Sequence, residues 1–125
     1  MHFRYARHTN KINDITEFYT KILHIEVLGH FENHQNYDGV FIGIKGSDWY
    51  FEFTTTDEIV THTFDEDDCL VFYPTSQNEY DTIMENLSQY KVEIIEHKNT
   101  YWNENGISFL DPDGYCVILS PLKIN

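Results

Sequence analysis

Basic residues are scarce in this chain. Its 125 residues hold 8 lysines and arginines against 21 acidic residues, a formal net charge of −13. Without a basic stripe to neutralise phosphates, nucleic acid is not an expected partner. Cysteine is scarce too. Cys69 and Cys116 form neither a CxxC motif nor a disulfide framework, and each falls in an expected strand, where a reduced cysteine packs as a small hydrophobe. Long apolar runs are missing: no stretch reaches the length of a membrane-spanning helix, and Met1-His2-Phe3-Arg4-Tyr5 lacks the apolar region of a signal peptide. These absences predict a soluble cytoplasmic protein with no membrane partner.

What is present suffices for a core. Hydrophobic residues make up 41% of the chain and aromatics 16%, which excludes a disordered chain. The strongest local signal is Asp111-Pro112-Asp113-Gly114. Pro112 presets φ, Gly114 supplies φ > 0, and the aspartates bond the turn's own backbone. The turn joins the runs 106–111 and 115–120, which read as paired strands. Lys45-Gly46-Ser47-Asp48 leads in the same way into Trp49–Thr54, so the two halves look like copies of one unit.

In chain order, 3–9 alternates as a strand, and Asn13 or Asp14 caps a helix running to about His24, with Ile15, Phe18, Tyr19, Ile22 and Leu23 inward. Strands follow at 25–31 and 37–44 around a polar loop at 32–36, then at 48–54. The acidic stretch 55–68 has no apolar periodicity and reads as a linker. The order then repeats: a strand at 69–73, a helix capped by Pro74-Thr75-Ser76 and running to about Tyr90, and strands at 91–96, 106–111 and 115–120. The expectation is one α+β domain over 1–125, built of two βαβββ modules (about 1–56 and about 69–122) with curved, mostly antiparallel sheets forming a shared cup. A concave cup with a few convergent polar groups is the expected place for a ligand.

Three runs, in order and correctly spaced, resemble the vicinal oxygen chelate superfamily of glyoxalase I, fosfomycin-resistance proteins, bleomycin-resistance proteins and extradiol dioxygenases. They are Arg7-His8-Thr9 ending the first strand, Phe18-Tyr19-Thr20-Lys21-Ile22-Leu23-His24-Ile25 closing the first helix, and Phe109-Leu110-Asp111-Pro112-Asp113-Gly114-Tyr115. The resemblance covers the whole chain and implies metal ligands at four equivalent positions, the first and last strand of each module. Those positions hold His8, Glu52, Cys69 and Ile118. His8 and Glu52 match the pattern, Cys69 replaces a histidine or similar ligand, and Ile118 has no donor atom. The separations His8 to Glu52 and Cys69 to Ile118 differ by only five residues, as a repeat requires.

Two readings follow from these residues. In the first, a small molecule is held in the cup without an intact metal site, in a pocket made by Arg4, His8, Tyr50, Glu52, Cys69, Tyr73 and Ile118, with Phe41, Trp102 and Tyr115 as further wall candidates. Here His8 and Glu52 are hydrogen-bonded neighbours, and an acidic, aromatic pocket suits a flat or cationic ligand. Arg4 is in phase with His8, and either offsets Glu52 or holds a ligand carboxylate. In the alternative, His8 and Glu52, with Cys69 as third ligand, hold Zn, Ni, Mn or Fe in a metal-dependent lyase, isomerase or dioxygenase with Glu52 as catalytic base. The resemblance also implies a homodimer. Of the other histidines, His2 and His97 read as solvated, and His24 as a helix cap.

Overall fold

The structure, a computed structural model, describes all residues 1–125. The chain divides into two compact units, Met1–His62 and Thr63–Asn125. Both are α+β, and in both the first strand lies parallel to the last, the arrangement that a β-α-…-β unit requires.

In the first unit, β1 (Phe3–His8) leads into α1 (Ile12–Glu17), which continues as a π-helical turn over Phe18–Ile22. Then come β2 (Glu26–His34), β3 (Tyr37–Gly43) and β4 (Trp49–Thr55). The sheet order is β1-β4-β3-β2, with β1 and β4 parallel and the other pairs antiparallel. Alternation along β4 sends Phe51 and Phe53 into the core. Tyr19 meets Phe51 edge-on at 5.5 Å and stacks on Phe53 at 5.5 Å, fixing the helical segment against this face. Arg7, on the same side of β1, is buried with its guanidinium 5.4 Å from the Phe53 ring centre.

Three local expectations in this unit are corrected. The first helix is not capped by Asn13 or Asp14: it starts at Ile12, one turn of chain after Thr9, whose hydroxyl accepts from the Lys11 N–H, and Asp14 lies inside the first turn. His24 stops the helix through its backbone, at φ 59°, in the left-handed region where glycine is usual. The polar stretch 32–36 is mostly strand, because Gln35 and Asn36, at φ 52° and 74°, make a two-residue hairpin turn and let β2 run on to His34.

The second unit holds β5 (Cys69–Phe72), α2 (Gln77–Gln89), α3 (Thr100–Asn105), β6 (Ile107–Leu110) and β7 (Cys116–Leu119), with sheet order β5-β7-β6. Ser76 caps α2 by accepting from the Glu79 N–H, and Ile83 and Leu87 are its buried residues. The Asp111 turn forms as expected: Asp111 Oδ1 accepts from the N–H groups of Asp113 (2.9 Å) and Tyr115 (3.1 Å), with Gly114 at φ 91°. The strand expected over 91–96 is reduced to a single bridge, Ile95 to Ser108. The N–H groups of Lys91 and Val92 bond back to Ser88 and Leu87, closing the end of α2 and leaving them unavailable to a sheet. No helix is long and apolar enough to cross a membrane.

Candidate functional site

The face of the first sheet opposite its helical segment carries the sequence-predicted residues of that unit. Register places Arg4 beside Tyr50, Ala6 beside Glu52 and His8 beside Thr54, while Phe41 of β3 pairs with Glu52 from the other side. Side chains in register on neighbouring strands share one face, so these groups form a patch. Glu52 is paired with Arg4, Oε1 to Nη1 at 3.6 Å, and the carboxylate side chain is 17% exposed against 50% for the arginine. The guanidinium also lies 5.9 Å above the Tyr50 ring centre, and Phe41 braces that ring edge-on at 5.7 Å.

His8 is held by hydroxyls. Its Nδ1 is 2.8 Å from Thr54 Oγ1 and its Nε2 is 3.1 Å from Thr56 Oγ1. A neutral imidazole donates from one nitrogen and accepts at the other, and hydroxyls serve both needs. Tyr37 closes over the ring edge-on at 5.6 Å. The partner of Glu52 is thus Arg4, and the partners of His8 are threonines.

In the second unit, Cys69 of β5 and Cys116 of β7 are direct neighbours across the parallel ladder. His97 joins them, against the expectation that it is solvated: it is 5% exposed. The reason is Asn103 of α3, which accepts from the His97 N–H (2.8 Å) and donates to the His97 carbonyl (2.9 Å). The imidazole Nε2 then lies 3.2 Å from Cys69 Sγ, and Nδ1 accepts from the Asn99 N–H at 2.8 Å. Ligand atoms of Cys69, His97 and Cys116 all lie within 4.8 Å of one another. Sequence reasoning missed this cluster because Cys69 and His97 are separated by 28 positions. The Asn99 cap before Thr100-Tyr101-Trp102 was the one signal that a short helix anchors the loop.

Burial pushes the Cys116 thiol up to about 12, with the neighbouring Cys69 adding to the shift. Cys69 is also raised, first by desolvation, with Asp67 and Asp68 adding to it. Tyr73, beyond the end of β5, is exposed, and Lys123 Nζ lies 5.8 Å from its ring centre. Ile118 is fully buried in β7.

Two α+β units, each with its first and last strands parallel, together with the structures this chain resembles, define a member of the vicinal oxygen chelate superfamily. Within it, the chain belongs to the YycE-like family: residues 3–54 match the YycE-like N-terminal domain and 67–121 the YycE-like C-terminal domain. It is 33% identical to the uncharacterized protein YycE of Bacillus subtilis over 96% of this chain and 87% of that one. The crystal structure of a Bacillus subtilis YycE protein superposes with a TM-score of 0.82, at 32% identity, covering 95% of this chain and 88% of that one. Leishmania major glyoxalase I shares the fold at a TM-score of 0.72 and 20% identity, over 96% and 85% of the two chains. So does the Listeria monocytogenes fosfomycin-resistance protein FosX, in complex with Mn(II) and 1S,2S-dihydroxypropylphosphonic acid, at 0.67 and 18%, over 94% and 88%.

That FosX structure, of a mutant protein, holds Mn(II). Of the four positions the resemblance assigns, Ile118 offers no ligand atom and is fully buried, both His8 nitrogens lie within hydrogen-bond distance of threonine hydroxyls, and Glu52 is paired with Arg4.

Proposed function

We propose that this chain binds a small planar cation on the first-sheet face, through side chains alone. The observation that carries this reading is the placement of Arg4. Its guanidinium is itself a planar cation, set over the Tyr50 ring and against the Glu52 carboxylate. A ligand cation of that shape gains the same two interactions: ring quadrupole beneath and carboxylate beside. The Arg4 side chain is half exposed, so its head group can swing into solvent when displaced. His8, held between Thr54 and Thr56, supplies a fixed polar wall. The homodimeric, cytoplasmic form belongs to the same proposal on the strength of the superfamily resemblance.

Calorimetry with benzamidine and larger aromatic guanidines tests it. Arg4→Ala is expected to bind more tightly, because the internal competitor is gone, and Glu52→Gln several-fold more weakly. Preferential binding of anions, or indifference to Glu52→Gln, would overturn the reading. The alternative, a metal-dependent lyase, isomerase or dioxygenase using His8, Glu52 and Cys69, requires His8 to release a threonine and Glu52 to release Arg4.

A further inference from the structure

We propose that Cys69 and Cys116 are a reversible dithiol–disulfide pair, oxidised by a low-molecular-weight disulfide, with His97 donating to the Cys69 sulfur. The geometry is the first support. The two residues face each other in register on adjacent parallel strands. Neighbouring strands are about 4.8 Å apart, inside the roughly 4.4–6.8 Å between Cα atoms that a disulfide spans.

The second support is the tautomer of His97. Because Nδ1 accepts from the Asn99 N–H, the ring proton is on Nε2, the atom that faces Cys69 Sγ. A metal at this cluster needs the reverse, a bare Nε2 with the proton on Nδ1. That proton would point into the Asn99 N–H. The set Cys69, His97 and Cys116 therefore has the donor types of a soft-metal site but the hydrogen bonding of a thiol site.

A cavity of about 350 Å³, lined by Cys116, His97, Lys98, Phe64 and Leu110 among others, opens on the Cys116 and His97 side of the cluster. Cys69 is the more exposed of the two cysteines and attacks first. Its thiolate attacks one sulfur of R–S–S–R, forming a mixed disulfide and expelling RS⁻, which takes up the proton Cys69 lost. Cys116, as thiolate, then attacks the Cys69 sulfur and expels the second RS⁻, which takes up its proton. Two protein thiols and one R–S–S–R become one protein disulfide and two R–S–H, with two electrons passed to the reagent. The His97 Nε2–H stabilises the Cys69 thiolate for the first attack.

The test is to incubate the full native chain with oxidised glutathione at about pH 9, where more of the Cys69 thiol ionises than at neutral pH, then quench with acid, alkylate and weigh the intact protein. The expected product is a monomer two hydrogens lighter that has lost both alkylatable thiols and regains them with dithiothreitol. Cys69→Ser is expected to resist modification at Cys116, and Cys116→Ser to stop at a single glutathione adduct. His97→Ala is expected to reach the same disulfide more slowly. Retention of both thiols, two independent adducts, or a disulfide between chains would each overturn the proposal. So would one zinc per chain that must be chelated before oxidation proceeds.

Discussion

Ile118 shows how one side chain decides between chemistries. It stands where the resemblance would put a fourth ligand and is fully buried, so a carboxylate placed there must be desolvated before it can serve a metal. Ile118→Glu is expected to lower stability by about 3 kcal/mol or more, the cost of an uncompensated buried charge. Zinc, nickel or manganese should not restore the melting temperature; rescue by any of them would show a nearly complete metal centre. Cys116 gives the pH counterpart. Unfolded, its thiol titrates near the ordinary 9.0, whereas burial in the folded chain holds the proton to about 12. Between those values the native state binds more protons, so stability falls as pH rises from 9.0 toward 12. Asp67, Asp68 and Asp111 act in the same direction through the pair. Urea midpoints under reducing conditions at about pH 7.5 and about pH 10.5 check this, and Cys116→Ala should shrink the difference between them.

At the scale of elements, the turns were legible and one strand was not. Asp111-Pro112-Asp113-Gly114 and Lys45-Gly46-Ser47-Asp48 announce themselves because their conformations depend on residues within four positions of each other. The face of β4 was legible because strand alternation is local: Phe51 and Phe53 go inward, and Glu52 with Tyr50 goes to the other face. The expected strand over 91–96 failed because the end of α2 captured Lys91 and Val92. The burial of His97 depends on Asn103 and Cys69, a tertiary arrangement that no window of sequence contains. Two substitutions test this account of the elements. His24→Gly relieves a left-handed backbone at φ 59° and is expected to add about 1 kcal/mol to stability. Gly106→Ala would set a Cβ 2.7 Å from the Leu119 carbonyl oxygen and is expected to cost about 1–3 kcal/mol as β6 and β7 are pushed apart. Chemical denaturation reads both, and equal midpoints for all three proteins would contradict these assignments.

For the whole molecule, the net charge of −13 is a source of self-repulsion that the few basic residues do not offset. Added sodium chloride should raise the melting temperature by screening it. The same excess of acid favours cationic ligands at long range, in keeping with a site where Arg4 already occupies Tyr50 and Glu52. On the proposed reading, this face binds its ligand through side chains rather than through a metal held by His8 and Glu52. Elemental mass spectrometry, on tag-free protein purified without added metal or chelator, tests it most directly. A His8→Ala, Glu52→Ala double variant should be measured in parallel. The account predicts no near-stoichiometric metal that depends on these two residues. Metal near one equivalent in the wild type, lost in the double variant, would contradict it and make Cys69 the third ligand to test.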